Sequence, residues 1–321
     1  MRLIVMLLSL TLLAACAAVK ESTNVAPEAE KGGFLGLGTK DSMETSGLQA
    51  VNGETRVVVP YFKVAFYTED NPAGYQSNSG KVTIKSKLLG VDSQSLQRVA
   101  DAAYQNFVAQ MEAKGITVLP FSDLEKTAAY QDFKPNAQYV DSALFGPDAT
   151  YVTPTGLKMS DTSIFRLKEV MNLLKETQTS VMDVQLNLTY LSQSVESTMR
   201  VVTGITIGQT MTVTPGSNMA FYGYEASKCT GYCPNTVANA KLGQPVYKAE
   251  KIGELRNVTT GSDQAADIAV AALSYLSSAS NMKFQDTNRY ELHAETEKYE
   301  SVAIDVLQDA TGQMVNALTQ K

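Results

Sequence analysis

The segment over residues 93–114 constrains the fold most. Leu96, Val99, Ala100, Ala103, Phe107, Val108 and Met111 recur at the three-and-four spacing that places them on one helical face. Asp92 or Ser93 can cap its start and Gly115 can close its end. A helix with one apolar stripe must bury that stripe against another element. Strand-like segments surround it: residues 56–68 are rich in Val, Tyr and Phe, and residues 81–88 alternate with Val82, Ile84 and Leu88 on one face. Asn71-Pro72-Ala73-Gly74 marks a turn and loop between them, and Ile116-Thr117-Val118-Leu119-Pro120 is a short strand leaving the helix. The unit reads strand, helix, strand.

Ser122-Asp123 can cap another short helix, and residues 148–156 read as a strand entering a loop. Residues 164–176 are helical, with Phe165, Leu167, Val170, Met171 and Leu174 apolar. A run of strands is expected over 181–191, where Val184, Leu186, Leu188 and Tyr190 alternate, then 199–207, 210–214 and 218–224, with Pro215-Gly216 as a turn. Residues 245–255 add an edge strand. Helices close the chain, over 262–278 and over 299–318 with Val302, Ala303, Val306, Ala310, Met314 and Leu318 apolar. The fold class expected is α+β or α/β, a mixed or largely antiparallel sheet flanked by helices.

Arg2 precedes an apolar run over residues 3–13 that stops at Leu13-Ala14-Ala15-Cys16. A basic residue, a short apolar core and small residues before a cleavage point make a secretory signal, too short for an ordinary membrane span. Leu-Ala-Ala-Cys resembles the lipobox of bacterial lipoproteins. The resemblance implies cleavage before Cys16 and acyl chains on its sulfur and new amino group. One fatty chain binds a membrane marginally, at roughly 0.8 kcal/mol per buried methylene, so several are needed to hold a protein there. A cleaved soluble secretory protein is the bland alternative. Ala17 stands where an Asp would favour inner-membrane retention in enteric-type bacteria, so the family rule implies the outer membrane, with the body facing the periplasm.

The expected organisation is a signal peptide over 1–15, a lipidated N-terminus and tether over 16–55, and a single periplasmic domain over 56–321. Residues 17–55 are small, polar or glycine-rich, the composition of a flexible tether, with order beginning at Arg56. Phe34, Leu35 and Leu37 give that tether a means of docking on the body or the membrane surface.

Losing Arg2 with the signal takes the formal charge from -6 to -7, and no basic run remains, so nucleic acid is a poor partner. Cys229 and Cys233 lie in a turn-rich patch, where an oxidising periplasm suggests a local disulfide, with a reduced pair or a metal half-site as alternatives. His293 is the sole histidine, which argues against a closed zinc site and against a triad. Ser280-Asn281-Met282-Lys283 matches Ser-x-x-Lys, yet no Lys-Thr-Gly accompanies it. The glycine-rich segments over 74–82 and 33–40 fail the phosphate-loop spacing and order. Glu291, Glu295 and Glu297 show no calcium-loop spacing. No catalytic residue, metal ligand or cofactor is expected beyond the covalent lipid at Cys16.

The order of elements resembles the curli-secretion (CsgG-like) lipoproteins and the N-terminal fold of TolB. The resembling pieces are the lipobox, Arg56-Val57-Val58-Val59-Pro60-Tyr61-Phe62, Gly115-Ile116-Thr117-Val118-Leu119-Pro120-Phe121-Ser122-Asp123-Leu124, Asp148-Ala149-Thr150-Tyr151-Val152 and Val184-Gln185-Leu186-Asn187-Leu188-Thr189-Tyr190. Pore-forming members carry two long amphipathic hairpins. Here only residues 199–214, with Val201, Thr203, Ile205 and Ile207 on one face, suggest a hairpin, and a short one. The function expected is a non-catalytic outer-membrane lipoprotein that binds or helps assemble an envelope, secretion or appendage complex through a protein partner or self-association. The alternatives are a CsgG-like oligomeric pore subunit, and an envelope hydrolase or small-ligand-binding lipoprotein.

Overall fold

The computed structural model describes residues 18–22, 25–32, 38–70, 75–77, 80–132, 140–141, 149–158, 166–198, 201–228, 236–263, 265, 267 and 284–320. In chain order the first strands are β1 (Ala18–Ser22), β2 (Lys31–Gly32), β3 (Gly38–Thr39), β4 (Met43–Ser46), β5 (Arg56–Tyr67), β6 (Glu69–Asp70), β7 (Tyr75–Ser77) and β8 (Gly80–Leu89). Then come α1 (Ser93–Ala113), β9 (Thr117–Val118), α2 (Phe121–Leu124), α3 (Ala128–Gln131), β10 (Val140–Asp141), β11 (Ala149–Val152) and α4 (Arg166–Thr177). β12 (Ser180–Thr198), β13 (Val201–Val213), β14 (Asn218–Tyr222), β15 (Val237–Leu242), β16 (Val246–Lys248), β17 (Gly253–Asn257), β18 (Phe284–Ala294) and α5 (Thr296–Thr319) complete them. The protein is mixed α/β.

The central sheet runs β10-β11-β5-β12-β14-β15-β4. Its middle pair, β5 and β12, is parallel, while β12 with β14, β14 with β15 and β5 with β11 are antiparallel. Ten of the twelve residues of β5 are buried in an unbroken run, the signature of a strand covered on both faces. β12 alternates instead: Val184, Leu186 and Leu188 are buried, and Asp183, Gln185 and Asn187 between them are half-buried. A second sheet, β17-β18-β8-β6, has β7 also on β8, and its central pair β8 and β18 is parallel.

Helices α1 and α5 cover the apolar face. Asp92 caps α1 by accepting from Ser95 N at 2.8 Å, and Gly115 takes φ +79° just past its end. The buried stripe of α1 sets Phe107 and Tyr104 against Phe62 of β5, with ring centroids 5.6 and 5.4 Å apart. α5 lies alongside α1: Arg98 pairs with Glu300 at 2.6 Å, and Gln110 Nε2 donates to the Gln308 carbonyl at 2.9 Å. Its face of Tyr299, Val302, Ala303, Val306, Ala310 and Met314 is buried.

Several expectations need correction. The tether is laid onto the body: β1 pairs with β13, β4 pairs with β15, and Ala50 and Val51 of a 3-10 turn are buried, so order precedes Arg56. The strand, helix, strand unit is split, because β8 belongs to the second sheet while β9 pairs with β5. Pro120, with no side-chain capping bond, stands at the cap position of α2, so Ser122 and Asp123 lie inside the helix. Where two strands were expected, over 199–207 and 210–214, residues 201–213 form one. The hairpin therefore joins β12 to β13, with paired residues from Leu188 opposite Val213 to Thr198 opposite Val201. The edge strand expected over 245–255 is two strands, β16 on β13 and β17 on β18.

Candidate binding face of the central sheet

The period-two pattern of β12 gives the central sheet two unlike faces. On one, Val184 stands opposite Phe62 and Met219, and Leu186 opposite Val64, all buried under the helices. On the other, register aligns a polar row across five strands: Lys63 opposite Gln185, Gln185 opposite Asn218, Asn218 opposite Lys241, and Lys241 opposite Glu44. One step along lies a second row, Tyr61 with Asp183, Ala220, Asn239 and Ser46. With neighbouring strands ~4.8 Å apart, five strands make a face roughly 19 Å across.

The β5 end of this face is the most enclosed. Lys63 is 7% exposed, and its Nζ lies 5.4 Å from the centroid of the Tyr151 ring, which β11 supplies. Tyr61, also buried, donates its hydroxyl to Glu169 Oε2 of α4 at 2.8 Å. α4 is held by burial of Val170, Leu173 and Leu174, so the carboxylate arrives on an ordered element. At the β15 end, Asn239 Nδ2 donates to Ser46 Oγ at 3.4 Å, and Lys241 is exposed. The rows mix amides, a phenol, two lysines and two carboxylates. Donors and acceptors in that order suit hydrogen bonding to another polar surface, where the unmet cost of burying each group is offset only by a matching partner.

A cavity of about 350 Å³ lies farther along β12, bordered by none of the residues of these two rows. Pro27, Glu28 and Glu30 border it, together with Ile84 and Ser86 of β8, Thr189, Leu191 and Gln193 of β12, and Thr212 of β13. Its size is at the small end of ligand pockets, which run from roughly 300 Å³ upward. Hydroxyls and prolines dominate its wall.

The strongly perturbed acids lie elsewhere. Burial pushes the phenol of Tyr104, half-buried against the helix-covered core, up to about 12. The Arg289 guanidinium, with Thr260, holds Asp263 down to about 2. Neither group borders the polar rows.

His293 sits on β18, half-exposed, with Nε2 3.2 Å from Glu291 Oε2 and opposite Glu254 of β17. Glu295 precedes α5 and pairs with Lys298 at 2.7 Å. Cys16, Cys229, Cys233, Ser280 and Lys283 lie outside the described residues, as does most of the helix expected over 262–278. Among the described residues there is no group of three or more His, Cys, Asp or Glu placed to hold a metal, and no helix long and apolar enough to cross a membrane.

The polar face escaped the sequence reading although its signal was present. Alternation that puts Val184, Leu186 and Leu188 on one side puts Asp183, Gln185 and Asn187 on the other. The partners contributed by β14, β15 and β4 depend on register, which no local pattern carries. Compared with protein-family profiles, with curated proteins and with solved structures, the chain matches none.

Proposed function

We propose that this protein is a non-catalytic lipoprotein of the outer membrane, anchored through acylated Cys16, whose periplasmic body binds or helps assemble a protein complex of the envelope. The observation that carries the binding role is the polar sheet face. It is broad and register-built, and it presents Gln185, Asn218, Asn239 and Lys241 to a partner surface rather than enclosing a small molecule. The lipobox supports the anchor, and the acidic net charge argues against nucleic acid. In-cell crosslinking of the acylated protein tests the reading, beside a Cys16→Ser control. A defined heteromeric band that weakens in the control is expected, and an uncrosslinked monomer in both would count against it.

A second reading, an oligomeric secretion-pore subunit, draws support from one observation. The β12–β13 hairpin, whose strands are 19 and 13 residues long, exceeds the short hairpin expected from sequence and exceeds the ~9–11 residues of a membrane strand. Detergent-resistant rings of a single protein would favour this reading over the first.

A further inference from the structure

Residues 18–22, close behind Cys16 in the chain, are built into the sheet. β1 pairs in parallel with β13, Ala18 opposite Gly204 and Ser22 opposite Gly208. Val25, 4% exposed, offers its carbonyl to Thr210 Oγ1 at 2.7 Å. Gly208 permits that approach, since a Cβ there would stand 2.6 Å from Val25 Cγ2 and 2.8 Å from the Ser22 carbonyl oxygen. Farther along, Gln244 clamps the same segment. Its Oε1 accepts from Glu30 N at 2.9 Å, and its Nε2 donates to the carbonyls of Glu30 at 3.0 Å and Lys40 at 2.9 Å. Attachment at the β1 pairing, at Val25 and at Glu30 makes this segment a strap.

Register gives the strap a direction. β13 runs from its turn with β12 into the central sheet, and β1 runs parallel to it, so Ala18 is the end of β1 nearer that turn. Cys16 precedes Ala18 by two residues, a reach of at most about 7 Å. The far end of the body is equally well placed. β12 is 19 residues long, about 60 Å at ~3.3 Å per residue. Beside its opposite end, Val181 pairs with Tyr222, just before the turn Tyr224–Lys228.

We infer that the hairpin end of β12 and β13 is the surface with which the body meets the bilayer that holds its anchor, and that the strap keeps it there. The inference rests on the reading of Cys16 as an acylated residue. A flexible tether would let any side of the body face the lipid. A strap paired from Ala18 onward leaves two residues of slack, far less than the length of the hairpin, so the Tyr224–Lys228 end points away from the membrane.

The test uses the full acylated chain in phosphatidylethanolamine and phosphatidylglycerol vesicles carrying a headgroup-bound quencher. A genetically encoded fluorescent residue replaces either Thr198 or Glu225, and mass spectrometry reads the acyl groups on Cys16. Quenching at position 198 with solution-like emission at position 225 is expected. Inserting a Gly/Ser linker of about twelve residues, with an r.m.s. reach of roughly 20 Å, between Ala17 and Ala18 should abolish the difference while acylation persists. Equal quenching at both positions of an acylated protein overturns the inference alone. A contrast that survives the linker overturns the strap as its cause, and a chain without acyl mass overturns the anchor reading and the inference together.

Discussion

Thr210 donates its hydroxyl to the carbonyl of Val25 at 2.7 Å, across 185 positions of chain, from a site with no solvent exposure. The bond ties a segment composed like a linker to the hairpin strand β13. It also satisfies a carbonyl that burial has taken from water.

Thr210→Val keeps the shape and removes the donor. Leaving the Val25 carbonyl unsatisfied costs about 1–3 kcal/mol. Hydrogen exchange should show the amides of β1 losing protection, with a modest fall in melting temperature. Unchanged protection of β1 would contradict the role given to this bond.

Gly208→Val places a side chain where Val25 and the Ser22 carbonyl already stand. The strap should lift while the helix-covered core stays folded. Trypsin should then cut faster after Lys20 and Lys31, both exposed residues of the N-terminal segment. Equal cleavage rates in the two proteins would show that the strap tolerates the added bulk.

Phe107 is fully buried and packs on Phe62 with centroids 5.6 Å apart. Phe107→Ala removes a large side chain from the junction of α1 and β5, and should cost about 3–5 kcal/mol. Urea unfolding measures this directly. A loss below about 1 kcal/mol would mean that α1 does not pack on the sheet as described.

Asp263 is held down to about 2, first by Arg289, whose Nε donates at 2.8 Å, then by Thr260. Its folded value lies below the unfolded value of about 3.9. It therefore contributes stability that is complete above about pH 4 and is lost as pH falls toward 2. An NMR titration of the carboxyl group should place its midpoint near 2, and Asp263→Asn should flatten this part of the acid limb. A midpoint near 4 would remove the Arg289 bond from solution.

Local patterns exposed α1 and the core face of β12, because spacing alone identifies a one-sided helix or a half-buried strand. They did not expose β15, whose sequence Val-Ala-Asn-Ala-Lys-Leu has too little apolar area to read as a strand until β14 pairs with it. β18 was hidden for a related reason. Asp286, Thr287, Asn288 and Arg289 look like loop, and their parallel partner β8 lies some 200 positions earlier. The strap is the clearest case: Thr210 and Gln244 hold it, and neither is near it in sequence. The polar face was half legible, in the polar alternates of β12, and half a product of register.

The central claim is that the polar face of the sheet, not the helical side, meets a partner protein. A photo-crosslinking residue at Gln185, between Lys63 and Asn218 in the row that ends at Glu44, should capture one defined protein in living cells. The same residue at Gln105, on the exposed side of α1, should capture none. Capture from Gln105 but not from Gln185, or from neither, would contradict the account.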